Sequence, residues 1–270
     1  MHPIIRLVDV HKAFDRLNVL NGVSLDLYEG ETTVIVGPSG TGKSVLLKHM
    51  IGLTRPDRGE VYFKNRRIDR LSEAQLVDVR CQMGMLFQTA ALFDSMTVEE
   101  NVTFPLVEHT KMTPAERLQR CEKVLKIVGL YGIGRSMPAQ LSGGQRKRVA
   151  LARAVVLEPQ VVLYDEPTTG LDPIRADVIN ELIKNLAQRT GITSVVVTHD
   201  MASANKIADR MVMLYDGVVA ADATPQAFGQ SEEDMVQRFI HGRADRGDLE
   251  LIRDGFEPAH RGSDRHRAAP

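Results

Sequence analysis

Gly37-Pro38-Ser39-Gly40-Thr41-Gly42-Lys43-Ser44 sets a first glycine, four free positions and then Gly-Lys-Ser, which is the spacing of a phosphate-binding loop. Lacking Cβ atoms at Gly37, Gly40 and Gly42, the chain can curl until successive N–H groups converge on phosphate oxygens. The start of a following helix adds partial positive charge. Lys43 then reaches the β- and γ-phosphates, and the Ser44 hydroxyl is placed to ligate Mg²⁺. A second glycine pair, in Leu141-Ser142-Gly143-Gly144-Gln145, also opens a helical pattern and so also presents an anion-binding helix start. Two acids follow an apolar run in Val161-Val162-Leu163-Tyr164-Asp165-Glu166-Pro167. Asp165 suits the first or second coordination shell of Mg²⁺, and Glu166 is the candidate general base for the water attacking a γ-phosphate. Ser194 to Thr198 ends in His199, whose imidazole suits donation to that phosphate or orientation of the water.

These groups work together only if strands and helices hold them at one edge of a sheet. Thr32–Val36, Val161–Tyr164 and Ser194–Thr198 are continuous apolar runs separated by helical patterns, as expected of buried parallel strands. Val45, Leu46, Leu47, Met50 and Ile51 recur with helical spacing before Gly52, completing strand, loop and helix around Lys43. Ile4–Val10, Ser24–Tyr28 and Val61–Phe63 are short β-like runs broken by Asn21-Gly22, Glu29-Gly30 and Asp57-Arg58-Gly59, which predicts antiparallel strands in the N-terminal half. Thr113-Pro114-Ala115-Glu116 is a capping box with proline at the first helical position, opening a helix that stops at Gly129. Residues from about Gln88 to Pro159 therefore form a mostly helical insertion in an α/β core. Met211–Tyr215, Asp216-Gly217 and Val218–Ala221 form a closing hairpin.

Composition bounds what such a chain does. At 270 residues and 43% hydrophobic content it can bury one α/β core with a smaller appended unit. Lys and Arg (34) nearly balance Asp and Glu (35), and no stretch has the basic bias of a nucleic-acid binder, so nucleic acid is not expected as a partner. Cys81 and Cys121 lie far apart, and both are expected to be buried thiols, with Cys121 beside Leu118, Val124 and Leu125. Neither a secretory leader nor a membrane-spanning run is evident, which predicts a soluble cytoplasmic chain that touches a membrane through a partner.

The order of Gly37–Ser44, Gln88, Leu141–Gln145, Asp165-Glu166, Thr169-Gly170-Leu171-Asp172 and His199 resembles the ABC ATPases over roughly residues 4–225. The resemblance implies an α/β ABC ATPase fold: a P-loop, RecA-like core with a mainly parallel sheet, an N-terminal antiparallel β subdomain and a helical subdomain at about 88–159. The ATPase domain spans 4–240, and an exposed tail covers 241–270. ATP and Mg²⁺ are the implied cofactors. Residues 37–44 would bind nucleotide, Ser44, Gln88 and Asp165 would serve the metal, and Glu166, His199 and Gln88 would serve hydrolysis. Phe14 would stack on adenine, in a position where many relatives have tyrosine. Two copies would pair head to tail, so that Ser142, Gly143, Gly144 and Gln145 of one close on ATP held by Lys43 of the other, with Asp172 communicating across the seam.

The work driven by hydrolysis follows from a finer likeness. Met85 to Val98 carries Leu92, Phe93, Met96 and Val98 just after Gln88; these residues either meet a membrane partner or pack the insertion's own core. Residues 86–98, Asn101-Val102, Phe104–Thr110 and Met137-Pro138 resemble the ATPases of Mla-type phospholipid transporters. That likeness implies transport maintaining outer-membrane lipid asymmetry, with an MlaE-type permease, an MCE-domain protein and, in some systems, a STAS-domain subunit. The chain would then lie peripherally on the cytoplasmic face of the inner membrane. Gln237–Gly242 resembles the start of a C-terminal extension that clasps a neighbouring subunit; a tail without a role is the other reading. A polar-solute importer and a soluble ABC ATPase outside transport remain as alternatives, because their motifs look the same.

Overall fold

The computed structural model describes residues 2–244. It divides into a unit ending at Gln230 and a second beginning at Ser231. In chain order the first unit starts with β1 (Pro3–Phe14), β2 (Leu17–Tyr28), β3 (Thr32–Val36), α1 (Lys43–Met50), β4 (Arg58–Phe63), β5 (Arg66–Arg67), α2 (Glu73–Arg80) and β6 (Met83–Leu86). It continues with α3 (Val98–His109), α4 (Pro114–Ile127), a single 3₁₀ turn (Pro138–Gln140), α5 (Gly143–Val155), β7 (Val161–Asp165), α6 (Pro173–Thr190) and β8 (Thr193–Val197). It closes with α7 (Met201–Ile207), β9 (Arg210–Tyr215), β10 (Val218–Ala223) and α8 (Pro225–Gly229).

The six-stranded sheet has the order β10-β9-β3-β8-β7-β6, with every neighbouring pair parallel except β9 and β10. All residues of β3, β7 and β8 are buried, which explains their unbroken apolar sequences. Because these strands are parallel, their C-terminal ends lie along one edge, and from that edge leave the loops bearing Gly37, Glu166 and His199. A second, antiparallel sheet of order β2-β1-β4-β5 covers the N-terminal part.

The expected break at Asn21-Gly22 is not a break. β1 and β2 form one long hairpin turning at Asp15-Arg16, and β2 runs through both residues. The register shifts of β1 near Val10 absorb the irregularity as a bulge. Asn21 instead reaches the β9–β10 turn, its N–H donating to Gly217 O (2.8 Å) and its amide to Asp216 O (2.9 Å). Arg58 and Gly59 likewise belong to β4 rather than preceding it.

Residues 88–159 hold α3, α4, the 3₁₀ turn and α5. Thr97, Thr113 and Ser142 each open a helix through a capping box with Glu100, Glu116 and Gln145. Gly129, at φ 67°, lies just past α4, and the Arg148 guanidinium donates to Val128 O and Gly129 O, tying the end of α4 to α5. Cys121 is buried as expected, but Cys81 is only half-buried, because it lies beyond the inward-facing Leu76 and Val79 of α2; Leu118 is likewise exposed.

The second unit contains α9 (Asp234–His241), closed by Gly242 in the left-handed region. Arg238 pairs with Asp234 one turn away (3.0 Å), and the Gln237 amide donates to Ser231 O (2.7 Å). From residue 245 onward the expected tail lies outside the described residues.

Candidate functional site

β3 is followed by a loop in which Gly42, at φ 92°, caps α1 without any side-chain hydrogen bond. Every other α-helix of the first unit has a capping side chain: Ser72, Thr97, Thr113, Ser142, Asp172, Asp200 or Thr224. The first N–H groups of α1 are therefore free for an anion. A Cβ on Gly42 would lie 2.8 Å from Val19 Cγ1, so only glycine allows this close turn against β2. Thr41 Oγ1 donates to Pro38 O (2.9 Å) and steadies the loop from within.

The buried Lys43 ammonium donates to Gly37 O (2.8 Å) and Pro38 O (2.7 Å), and among the described residues it forms no ion pair. Burial lowers its pKa, opposed by the negative fields of Glu166 and Asp165. An ammonium resting on loop carbonyls, beside carboxylates whose fields favour its charged form, is matched to phosphate oxygens. Ser44 Oγ donates to Asp165 Oδ1 at 2.6 Å. Burial raises the Asp165 pKa, and the Ser44 bond works against it. A hydroxyl and a carboxylate at this separation form a hard oxygen pair suited to Mg²⁺, a cation that takes few protein ligands and completes its shell with phosphate and water. Among the described residues no cluster of three or more His, Cys, Asp or Glu side chains is arranged to hold a metal.

Glu166 stands at φ 48°, an uncommon conformation for a side-chain-bearing residue. Three elements hold it there: its N–H donates to Val197 O (2.9 Å), its carbonyl accepts from Lys147 Nζ (3.0 Å), and both carboxylate oxygens are engaged. Oε1 accepts from His199 Nδ1 (2.9 Å) and Oε2 from Thr169 Oγ1 (3.0 Å). The Glu166 side chain is 11% exposed and His199 53%, so the imidazole is the solvent-facing half of the pair. Lys147 was not singled out from sequence. Its position on α5, one turn beyond the buried Gly144 and one before the buried Leu151, was the available signal that it faces inward. Burial lowers its pKa, with Glu166 and Asp165 opposing.

One cavity of about 420 Å³ is lined by Ser39, Gly40, Gly42, Lys43, Ser44, Gln88, Glu166 and His199, together with Val19 and Val45. Gly37, Pro38 and Thr41 shape the loop from behind, and Asp165 lies under Ser44. Phe14 ends β1 and is 47% exposed, with Lys12 Nζ over one face of its ring, 5.3 Å from the centre. Leu141 to Gln145 do not line this cavity; Ser142 and Gln145 are occupied in capping α5. Asp172 caps α6 by accepting from Arg175 N (3.0 Å), and Thr168 to Leu171 line a neighbouring cavity shared with His199.

A separate groove lies between Leu53, Phe87, Phe93, Phe104 and Arg153. Phe93 is exposed and packs on Phe104 with ring centres 5.0 Å apart, whereas Val98 is fully buried. Of the Met85–Val98 segment, Val98 thus packs the insertion's own core and Phe93 remains exposed.

A parallel sheet delivering a phosphate loop, an acid pair and an imidazole to one edge defines a P-loop ATPase. Residues 20–169 match the ABC transporter family model, and the chain belongs to that family. It is 41% identical over 246 residues to the intermembrane phospholipid transport system ATP-binding protein MlaF of Escherichia coli, the alignment covering 90% of this chain and 91% of that protein. It is 40% identical over 243 residues to the probable ribonucleotide transport ATP-binding protein mkl of Mycobacterium leprae, covering 90% and 70%. A dimeric ATP-binding cassette solved in a post-hydrolysis state with ADP and phosphate superposes with a TM-score of 0.76 at 36% identity, over 82% of this chain and 98% of that one. The expected fold and ATPase activity are borne out, with ATP and Mg²⁺ as cofactors. Among the described residues no helix is long and apolar enough to cross a membrane.

Proposed function

We propose that this chain is the energy-coupling ATPase of a transporter that moves phospholipid between the inner and outer membranes and so maintains outer-membrane lipid asymmetry. The observation carrying the cargo is the 41% identity to MlaF over nine-tenths of both chains.

In this reading the N–H groups of Gly40 to Ser44 and the Lys43 ammonium hold the triphosphate, and Phe14 stacks on adenine. Ser44, Asp165 and Gln88 would hold Mg²⁺, which would neutralise charge on the phosphate oxygens. Glu166 orients water and takes its proton at a carboxylate oxygen, while His199 keeps that carboxylate aimed at the phosphate. Two copies pair head to tail, so that the α5 start of one, from Ser142 to Gln145, closes on the nucleotide of the other and Asp172 lies at the seam. Both sites of such a dimer carry a glutamate and both hydrolyse. The ATPase domain covers residues 4–240, with its helical part at 88–159. It sits on the cytoplasmic face of the inner membrane through an MlaE-like permease whose cytoplasmic helix enters the Leu53–Phe93–Phe104 groove. An MCE-domain protein and a STAS-domain subunit complete the assembly, and the tail from residue 241 clasps a neighbouring subunit.

The test is affinity purification from solubilised membranes, with the co-purifying chains and lipids identified. Recovery of a permease, an MCE-domain protein and bound phospholipid is expected. The ribonucleotide label of the mycobacterial relative favours a second, polar cargo; a co-purifying solute-binding protein with no lipid would establish that one and remove the first.

A further inference from the structure

α6 and α7 start on either side of the hydrolytic pair: Asp172 caps α6, and Asp200, next to His199, caps α7. Between these helices runs a chain of hydrogen bonds, buried at Asn180 and Ser203. The Asn180 amide of α6 donates to Ser203 Oγ of α7 (2.8 Å), and Ser203 Oγ donates onward to Asp200 Oδ2 (2.5 Å). Asp200 Oδ1 accepts from Ala202 N (3.0 Å), and Asp200 N donates to Thr198 Oγ1 (3.1 Å). Residues on both sides of His199 are thereby pinned, and the pin is anchored in α6. Asn180 is 4% exposed, Ser203 3% and Thr198 1%.

Packing alone does not account for this choice of residues. Among the described residues the Asn180 amide oxygen has no hydrogen-bond partner, so a buried polar group is kept at a cost that leucine would avoid. Its Nδ2 bond to Ser203 is the compensating contact. Thr168, Thr169, Asn180, His199 and Ser203 also share one cavity of about 460 Å³. Thr169 in that cavity holds Glu166 Oε2, while His199 holds Oε1. The chain therefore sets the distance between the two loops that grip the carboxylate from opposite sides.

We infer that Asn180 and Ser203 are positioning residues for ATP hydrolysis, holding His199 on Glu166 through the Asn180–Ser203–Asp200 hydrogen bonds. The inference rests on Glu166 and His199 being the hydrolytic pair. On the solvent side the same helices are joined by Lys206, which bridges Asp177 (2.5 Å) and Glu181 (2.8 Å). Exposed pairs of this kind hold little geometry, and Lys206 serves as the control.

The experiment measures steady-state ATP hydrolysis and thermal unfolding of the full chain with Asn180→Leu, Ser203→Ala, Ser203→Thr, the Asn180→Leu/Ser203→Ala double variant, Lys206→Ala and Glu166→Gln. Asn180→Leu keeps side-chain bulk and so keeps the fold. Loss of one link should lower kcat about fivefold, the effect of one buried hydrogen bond, with KM for ATP changed less than about twofold. The double variant should be no slower than either single one, because a chain broken once is broken. Ser203→Thr, which keeps the hydroxyl, should recover most of the rate, and Lys206→Ala should match the parent chain. Unchanged kcat in Asn180→Leu and Ser203→Ala, multiplied losses in the double variant, or equal loss of kcat and thermal stability in Lys206→Ala would overturn the inference. A parent chain whose hydrolysis survives Glu166→Gln would instead remove the hydrolytic-pair reading beneath it.

Discussion

His199 Nδ1 lies 2.9 Å from Glu166 Oε1, while Thr169 Oγ1 lies 3.0 Å from Oε2, so the carboxylate is gripped from both sides. Glutamine at position 166 preserves size and most of these contacts but cannot take a proton. Glu166→Gln is therefore expected to cut ATP turnover by about 10²-fold or more, with ATP binding kept. Single-turnover hydrolysis alongside equilibrium nucleotide binding checks this. Turnover within a few-fold of the parent would remove Glu166 from its role as base.

Lys43 makes a different prediction, because its bonds to Gly37 O and Pro38 O are within the loop. Lys43→Ala should leave the strand and helix on either side folded and weaken ATP binding by about 10-fold or more, since the charged donor to the phosphates is gone. Nucleotide titration followed by fluorescence or calorimetry measures it. Undiminished affinity would show that the loop N–H groups alone suffice.

What could be read from sequence follows the range of the interactions involved. β3, β7 and β8 were legible because burial on both faces leaves an unbroken apolar run. β6 was not: Met83-Gly84-Met85-Leu86 carries a glycine, and its reason is tertiary, the backbone of Ala154 on α5. The phosphate loop was legible because its chemistry is local. The Lys147 bond to the Glu166 carbonyl and the Asn180–Ser203 link were not, since each joins residues on separate elements whose packing no short pattern encodes. The β1–β2 hairpin shows the opposite error, a local turn signal at Asn21-Gly22 overridden by pairing along the whole strand.

Gly84 turns that close approach into a stability test. A Cβ there would lie 2.3 Å from Ala154 O, a backbone atom that cannot move without shifting α5, the helix begun by Ser142. Gly84→Ala should destabilise the chain by ~1–3 kcal/mol through overpacking. Urea denaturation measures the loss, and an unchanged midpoint would mean that α5 yields more readily than its packing implies.

Cys121 contributes a loss of stability at alkaline pH. Burial, aided by Glu99 and Glu122, pushes its thiol from 9.0 up to about 12. Between those values the unfolded chain has released the proton and the folded chain still holds it. The unfolded state then binds fewer protons, and stability falls as pH rises through that window. Urea midpoints should drop with pH above 9.0, and the drop should be shallower in Cys121→Ala. Equal slopes in the two chains would assign the alkaline loss to other groups.

In the proposed docking of the permease, Arg153 shapes the groove that receives it. Its guanidinium donates to Ala90 O (3.1 Å) and Ala91 O (2.8 Å), two residues at positive φ, and lies 5.7 Å from the Phe93 ring centre. One half-buried cation thus contacts both the loop after Gln88 and the exposed aromatic that walls the groove. Removing it leaves two strained residues without their restraint and Phe93 without its neighbour. Arg153→Ala should weaken association with the permease by about tenfold, the effect of losing charge-assisted hydrogen bonds. The measurement is recovery of permease with the tagged chain across a detergent-solubilised titration. Lysine at this position keeps the charge but lacks the planar guanidinium that places Nη2 on both carbonyls while lying against the Phe93 ring, so Arg153→Lys should restore only part of the affinity. Full recovery of permease by the alanine variant would mean that the groove wall contributes nothing to docking.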